Sequence, residues 1–368
     1  MKLTFVIGTR PELIKLAPLI WEAKKKSLDF DVVNTAQHKE LIEPYWATFG
    51  ISPTHILDLM VPNQSLSSLS ARAIKQIQNY ISEVPVRPSV IIAQGDTTTV
   101  MAASMVSFYN QIDFAHVEAG LRSFDFQNPF PEEFNRKIAS ISATFHFCPT
   151  TKSQENLLKE GINQEKIFIV GNTVVDSLMK ISRNQNLKLL EWVNPKLNEV
   201  TKFNRSVLIT CHRRENHGVN LSVIIESIVN LAQNNRDTIF VWPLHPNPNV
   251  KQKVLNSNLN NYNNVLLIDP LEYSDILKFL DIAFCAISDS GGIQEEAPSF
   301  KTPVIVLREA TERPEGIEAG LAFLSGAVKE KIINRFNILK SNFPLFENNP
   351  YGDGKSSERI INIIINHK

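Results

Sequence analysis

Three carboxylates in the N-terminal half of the sequence have the neighbours expected of acid/base groups. Asp96 follows one apolar run, Glu118 follows the next, and Glu132 comes after the segment 129–131, Pro-Phe-Pro. A carboxylate at a buried strand end is costly unless it is paired, and desolvation raises its pKa towards the range that suits proton transfer. Each of the three, taken alone, can also be a structural carboxylate that is held by an Arg or by threonine hydroxyls such as those of residues 97–99. Two at adjacent strand ends favour proton-transfer chemistry.

Cationic side chains at other strand ends predict a phosphate-bearing ligand. Arg10 and Lys15 stand at the start of a predicted helix, and Arg213, Arg214 and Arg313 follow strands in the second half, with His212 beside Arg213. Singly, such charges are more often solvated, and a lone His is often structural. Together they favour a nucleotide diphosphate.

The segment Ser290-Gly291-Gly292 lies between an apolar run and the helical stretch 293–297. Two glycines let the backbone approach a ligand closely, and the free N–H groups at a helix start attract anions. An ordinary tight turn explains the motif about equally well. Neither the dinucleotide fingerprint GxGxxG nor the ATPase loop GKS/T is present, so the motif predicts only a phosphate contact.

Eleven short apolar runs must position these groups, and helical stretches separate them. Runs that are apolar on consecutive positions suit strands buried on both faces, so the alternation predicts an α/β protein with doubly wound parallel sheets. In such sheets ligands bind beyond the carboxyl ends of the strands, where the polar residues stand. The runs are 3–8, 31–36, 89–94, 114–119, 145–148, 167–171, 206–210, 239–244, 265–269, 282–287 and 303–307.

The 368-residue length predicts two domains. The polar, Asn-rich stretch 184–204 is a candidate boundary, although the hinge can also precede it near Gly171. We therefore expect an N-terminal Rossmann-like domain over 1–171, which carries the carboxylates, and a second over 172–350. Residues 351–368 are expected to form a terminal helix that packs against either domain, and we place it on the first.

Composition excludes several classes of protein. Lysine plus arginine and aspartate plus glutamate both number 38, so the net charge is zero and a nucleic-acid role is disfavoured. No apolar run approaches the ~20 residues of a membrane span. The three scattered cysteines predict neither a disulfide framework nor a zinc site, and they suit a reducing cytoplasm. The histidines lack metal-ligand spacing, so we expect no metal.

Taken together, the motifs resemble the non-hydrolysing UDP-N-acetylglucosamine 2-epimerase family from Gly8 to Gly354. In order they are GTRPELIKLAPL, TAQHKE, QGDTTT, HVEAGLRS, PFPEEFNR, GNTVVDSL, HRRENHG, PLHPNPNV, SDSGGIQEEAPS, TERPE and NPYGDG. The resemblance implies two Rossmann-like domains in the B-type glycosyltransferase arrangement with the active site in the interdomain cleft. It also implies a homodimer and cofactor-free interconversion of UDP-N-acetylglucosamine with UDP-N-acetylmannosamine for cell-surface polysaccharide.

The resemblance also implies roles for individual residues. Asp96, Glu118 and Glu132 become the acid/base groups of an elimination and re-addition of UDP through 2-acetamidoglucal, and sequence does not decide which one serves which face. His212 and Arg213 would assist the departing diphosphate, and Glu296 would hold the ribose. The remaining contacts with the UDP-sugar would come from Arg10, Lys15, Ser290, Gly291, Gly292 and Arg313, with Asp96, Glu118 and His212 again among them.

Some positions depart from the usual family pattern. They are Cys211 before His212, the stretch 124–128, and Ile276 near the predicted uridine site. The family's activating second UDP-N-acetylglucosamine site would map to Gln37, Glu40, Arg72 and His245, where Glu40 replaces a Gln.

Three rival functions stay open at this point. One is epimerisation of another UDP-N-acetylhexosamine, such as a 6-deoxy or uronic acid derivative. The second is a sugar-transferring enzyme of the same fold, and the third is a UDP-sugar sensor without catalysis.

Overall fold

A computed structural model describes residues 1–37, 39–61, 64–127, 129–185, 191–346 and 348–367, without the side chains of 39–41 and 183–185. The chain divides into two compact units. Unit 1 comprises Met1–Ser177 and Tyr351–Lys368, and unit 2 comprises Leu178–Pro350.

Unit 1 is built on a seven-stranded, wholly parallel sheet in the order β3-β2-β1-β4-β5-β6-β7. Its strands are β1 (Lys2–Ile7), β2 (Asp29–Asn34), β3 (His55–Ile56), β4 (Val90–Gln94), β5 (Asp113–Val117), β6 (Phe145–Cys148) and β7 (Ile167–Ile169). Its connecting helices are α1 (Arg10–Lys25), α2 (Lys39–Phe49), α3 (Leu66–Glu83), α4 (Thr98–Tyr109), α5 (Glu132–Ser142), α6 (Thr151–Lys159) and α7 (Thr173–Gln185), the last of which continues into unit 2.

Unit 2 has a six-stranded parallel sheet in the order β10-β9-β8-β11-β12-β13. Its strands are β8 (Arg205–Thr210), β9 (Thr238–Pro243), β10 (Val265–Ile268), β11 (Cys285–Ser288), β12 (Val304–Val306) and β13 (Ala322–Leu324). Its helices are α8 (Val219–Asn234), α9 (Pro248–Leu255), α10 (Tyr273–Ile282), α11 (Gly291–Glu296), α12 (Pro314–Glu318) and α13 (Lys329–Ser341).

The central strands are apolar on both faces because helices cover both sides of each sheet. In β8, Val207 and Ile209 belong to one hydrophobic cluster and Leu208 to another. All five residues of β4 in unit 1 are likewise buried. The predicted fold of two parallel-sheet α/β domains is therefore confirmed.

All eleven predicted runs contain strands, with shifted ends in every case except β6, which matches the run 145–148. The clearest shift is at β11, which begins at Cys285 rather than 282, because Ile282 still belongs to α10. The structure adds the short strands β3 and β13, which lie at sheet edges and whose two or three residues carry too little pattern to predict. No helix among the described residues is both long and apolar enough to cross a membrane.

The C-terminal segment returns to unit 1 as α14 (Ser356–Asn366). The buried carboxylate of Asp176 on α7 accepts hydrogen bonds from the backbone N–H of Ser356 (3.2 Å) and Ser357 (2.7 Å) and from the Ser357 hydroxyl (2.6 Å). One acceptor thus satisfies two of the N–H groups that a helix start leaves unpaired. This contact fastens the helix that packs against α1.

Candidate active site

Glu118 and Lys15 form a buried ion pair in unit 1. Glu118 follows β5 with a positive φ of 65°, and Lys15 lies on α1 with 7% of its surface exposed. The amide Nδ2 of Asn172 lies 3.5 Å from the same carboxylate oxygen of Glu118. Two residues predicted separately, as a base and as a phosphate contact, are therefore direct partners.

Asp96 lies one strand away, because its strand β4 pairs with β5 in a register that joins Gln94 to Val117. Its carboxylate accepts a 2.5 Å hydrogen bond from Nη2 of Arg136 on α5, and its carbonyl accepts a 2.8 Å bond from Asn135. The structure differs here from the expectation that the threonine hydroxyls at 97–99 hold this carboxylate. Thr97 instead donates to Glu12. The cation that neutralises Asp96 comes from a helix some 40 residues later in the chain.

Glu132 is the first residue of α5 and is partly exposed, whereas the adjacent Glu133 is fully buried. Glu133 accepts hydrogen bonds from Arg136 (3.0 Å) and from the backbone N–H of Ser123 (3.1 Å). The two adjacent carboxylates therefore lie in different surroundings. Glu133 organises the preceding loop, and Glu132 is the more exposed residue of the two.

Glu12, which the motif GTRPE contains but to which the sequence assigned no role, is a further buried carboxylate of unit 1. It is 1% exposed and lies in the first turn of α1. Its burial raises its pKa to about 7 even though hydrogen bonds from Thr97, Gly8 and Thr9 act in the opposite direction, and the charge of Asp96 raises it further.

Arg10 begins α1 with an exposed side chain. Its guanidinium lies 5.5 Å from the ring centroid of Tyr45, and its Nη1 is 3.3 Å from the Tyr45 hydroxyl. This contact holds a cation at the surface of unit 1, which suits an anionic ligand.

In unit 2, Asp289 organises the segment that carries His212 and Arg213. Its carboxylate accepts bonds from the backbone N–H groups of both residues, at 3.0 Å and 2.9 Å, and from the Asn216 amide at 2.9 Å. Burial alone would raise the pKa of Asp289, but these bonds and His212 outweigh it and lower the pKa to about 2. Sequence analysis predicted no role for Asp289.

Ser290 is the N-cap of α11, and Gly291 and Gly292 are its first two residues, so the helix begins two residues before the predicted stretch 293–297. The Ser290 hydroxyl accepts from the backbone N–H of Ile293 at 3.5 Å. A Cβ at Gly291 would lie 2.8 Å from Cζ of Arg313, so the glycine makes room for that guanidinium. At Gly292 the nearest atom would be Ser290 Oγ at 3.7 Å.

Arg313 is held over this turn by two carboxylates that the sequence did not single out. Its Nε donates to Glu295 at 2.5 Å, and its Nη1 lies 3.3 Å from Glu312. Glu312 also pairs with Arg308 at 2.9 Å. Burial would raise the pKa of Glu312, but the charges of Arg313 and Arg308 outweigh it and lower the pKa to about 2.

Arg213 lies among charges of both signs in the same unit. Burial lowers the pKa of Arg213, and the charges of Arg308 and Arg313 lower it further, while those of Glu312 and Glu215 act in the opposite direction. A bound anion would relieve both effects, because it would offset the lost hydration and the mutual repulsion.

Glu296 is 8% exposed at the end of α11, and its Oε1 accepts a 3.1 Å bond from the hydroxyl of Tyr273. Ile276 packs against the adjacent hydrophobic cluster. Cys211 is buried, and burial raises the pKa of its thiol, which does not suit a nucleophile.

The residues expected at a second ligand site divide between the units. In unit 1, Gln37 accepts from Thr99 at 2.8 Å, and Arg72 donates to the Leu59 carbonyl at 2.6 Å. Glu40 belongs to α2, but its side chain lies outside the described part of the chain. In unit 2, the exposed His245 ring stacks on His212 with 5.7 Å between centroids. The described residues contain no group of three or more His, Cys, Asp or Glu side chains that could hold a metal.

Comparison with known proteins gives one consistent result. Residues 22–365 match the family model described as UDP-N-acetylglucosamine 2-epimerase. The chain is 42% identical over 381 residues to a UDP-N-acetylglucosamine 2-epimerase of Campylobacter jejuni, covering 100% of this chain and 98% of that protein.

Two solved structures are similar over nearly the whole chain. A putative UDP-N-acetylglucosamine 2-epimerase of Listeria monocytogenes superposes with a TM-score of 0.91 at 38% identity, covering 100% of this chain and 96% of that one. The UDP-GlcNAc 2-epimerase of Neisseria meningitidis, solved bound to UDP-GlcNAc, gives 0.89 at 39% identity and covers 99% and 100%.

Proposed function

The chain belongs to the UDP-N-acetylglucosamine 2-epimerase family, and on that basis we propose that it interconverts UDP-N-acetylglucosamine and UDP-N-acetylmannosamine by proton transfer at carbon 2. The observation that carries this proposal is the pair of carboxylates at neighbouring strand ends. Asp96 and Glu118 each bear a buried cationic partner, Arg136 or Lys15. The bound sugars named for relatives support the same substrate.

The reaction proceeds in two balanced steps. A carboxylate removes the proton from carbon 2, the bond from carbon 1 to the diphosphate oxygen breaks, and UDP departs with the electron pair to leave 2-acetamidoglucal. UDP then adds back to carbon 1 while a second acid delivers a proton to the opposite face of carbon 2. No net oxidation occurs, so the chemistry requires no redox cofactor, and we propose that none is used.

Unit 1 supplies the acid/base groups in this proposal. Asp96, Glu118 and Glu132 are the candidates. Lys15 pairs with Glu118 and Arg136 pairs with Asp96, so each of these two carboxylates has a cation that offsets the cost of burying its charge.

Unit 2 supplies the contacts for the leaving group. We assign the diphosphate to His212, Arg213 and Arg313, together with the backbone of 290–292, and the ribose to Glu296. Fixed donors aimed at a departing anion stabilise the charge that develops in the transition state. The lowered pKa of Arg213, which burial and neighbouring arginines cause, supports an anionic occupant.

Three finer points of the proposal rest on the family resemblance. We propose a homodimer, a role in cell-surface polysaccharide synthesis, and an activating UDP-N-acetylglucosamine site that involves Gln37, Glu40, Arg72 and His245. The domain division that we propose near residue 171 rests on the sequence pattern around Gly171. A cytoplasmic location is also proposed, which the three free and buried cysteines support.

Solvent deuterium tests the reaction. Incubation of the protein with UDP-N-acetylglucosamine in deuterated water should give both epimers with one deuterium at carbon 2, which proton NMR detects as loss of the H2 signal. Epimerisation with full retention of hydrogen at carbon 2 would overturn the proton-transfer mechanism. No turnover of UDP-sugar without an acceptor would favour a transferase, and tight binding without turnover at micromolar protein would favour a sensor.

Substrate specificity needs a separate measurement. The ratio of kcat/KM for UDP-N-acetylglucosamine to that for a 6-deoxy or uronic acid derivative should exceed one. A higher kcat/KM with a derivative would replace the proposed substrate and keep the reaction type.

A further inference from the structure

We infer that Glu12 is a positioning residue that joins the turn carrying Arg10 to the turn carrying Asp96. The inference rests on the proposed function, because Asp96 matters here as a proton-transfer group. Glu12 itself is buried by the protein and acts through its neighbours.

The geometry places one carboxylate between two strand-end turns. Oε2 of Glu12 accepts the backbone N–H groups of Gly8 (2.5 Å) and Thr9 (3.2 Å), which follow β1. Its Oε1 accepts the hydroxyl of Thr97 (2.6 Å), which follows β4. The two strands are neighbours in the sheet. Movement of either turn is therefore resisted by the other through Glu12.

Thr97 transmits this constraint directly to the adjacent Asp96. Its hydroxyl donates to Glu12 and also accepts from Val100 N–H at 3.4 Å, which fixes the start of α4. Asp96 is then held from one side by this turn and from the other by Arg136 and Asn135. A displacement of about 1 Å in a reacting group can cost as much as 100-fold in rate.

The protonation state of Glu12 changes this arrangement. A protonated Glu12 accepts the Gly8 and Thr9 N–H groups without the added strength of a charge, and the Thr97 hydroxyl must turn to accept its proton. The charge of Asp96, which pairs with Arg136, acts on Glu12, and Lys15 of the same helix pairs with Glu118. His116 donates from Nε2 to the Gly95 carbonyl, and burial lowers its pKa to about 4, so it is neutral at pH 7.

Burial raises the pKa of Glu12 to about 7, within the working range of an enzyme. Glu12 is therefore a carboxylate with three charge-assisted bonds above that pH and a carboxylic acid with weaker bonds below it. We expect kcat to fall as pH decreases through about 7. The folded pKa lies above the unfolded value, so this group's contribution to stability is present below the unfolded pKa and is lost as pH rises through about 7.

The test is Glu12→Gln, which keeps the shape and fixes a neutral group. We expect kcat at pH 8 to fall between about 10-fold and 100-fold, with the affinity for UDP within twofold of wild type. The step in kcat near pH 7 should disappear. The melting midpoint of Glu12→Gln minus that of wild type should be larger at pH 8 than at pH 5. Glu22→Gln, at the far end of the same helix and paired with Lys25, is the control and should match wild type.

Results that overturn the inference are distinct from those that overturn the proposed function. An active wild type with an unchanged kcat profile in Glu12→Gln removes the positioning role and leaves the epimerase proposal intact. The wild type can be inactive while the difference in melting midpoint between Glu12→Gln and wild type still grows from pH 5 to pH 8. That result supports the titration of Glu12 and overturns the proposed epimerase reaction.

A second pair of variants is available if Glu12→Gln does not fold. Thr97→Val removes the hydroxyl donor and should reproduce the kcat loss, whereas Thr97→Ser keeps it and should restore most of the activity. Equal kcat in Thr97→Val and wild type would contradict the link between the turns.

Discussion

The carboxylate of Asp289 binds His212 twice, through the backbone N–H at 3.0 Å and through ring Nδ1 at 3.1 Å. The side chain of Asp289 is completely buried, whereas that of His212 is 39% exposed. A carboxylate at Nδ1 fixes the imidazole tautomer and leaves Nε2 directed away from it. The pair therefore presents one defined ring nitrogen to the proposed diphosphate.

Asp289→Asn should lower kcat by about 10-fold or more, because the neutral amide removes the negative charge that stabilises an imidazolium able to donate from Nε2 to the diphosphate. Steady-state kinetics in both directions would measure this loss. Asp269→Asn, which changes an exposed carboxylate paired with Lys251, is the matched control in the same unit and should retain wild-type kcat. A kcat for Asp289→Asn within twofold of the control would contradict the role of this pair.

Asp96→Asn should reduce kcat by about 10²-fold to 10⁴-fold, since it removes the basic oxygen and keeps the side-chain shape. Its 2.5 Å bond from Arg136 would be weakened but the fold retained, so UDP affinity should stay close to wild type. Measurement of kcat, UDP affinity and the melting midpoint on one preparation separates chemistry from structure. A stable variant with near-wild-type kcat would take Asp96 off the catalytic list.

Lys15→Met should destabilise the protein by about 3 kcal/mol or more, because it leaves the charge of Glu118 buried without its cation. Denaturant titration measures the free energy of unfolding. Lys25→Met, whose side chain is 71% exposed and paired on the same helix, should cost less than about 1 kcal/mol. Adding Glu118→Gln to Lys15→Met should recover part of the loss, and no recovery would argue against a coupled pair.

Gly291→Ala should weaken UDP binding, because its Cβ would lie 2.8 Å from Cζ of Arg313 and displace that guanidinium from Glu295 and Glu312. Loss of one well-placed charged contact corresponds to about 10-fold or more in Kd. Calorimetry with UDP measures it. Gly292→Ala, whose Cβ would meet only Ser290 Oγ at 3.7 Å, should show the smaller loss, and the reverse order would contradict this account.

The sequence by itself determined the fold class and the edge of each sheet where the polar groups lie. Consecutive apolar runs such as 90–94 can be buried only by helices on both faces, so local pattern and global architecture agree. It also placed Asp96 and Glu118 at strand ends, because strand termini are readable from where apolar residues stop. The motifs indicated the family, and the comparisons then showed that the chain belongs to it.

Only the tertiary structure decided which charges are partners. Lys15 and Glu118 are 103 residues apart, and Arg136 and Asp96 are 40 apart. Glu12, Asp289 and Glu312 read in the sequence as ordinary loop or helix-start carboxylates, and their importance comes from burial and from donors on distant elements. Spacing along a chain does not encode such contacts, because the sheet order that brings them together is a property of the whole fold. The energy of a buried charge depends on all its neighbours at once, so it becomes defined only when the chain has folded.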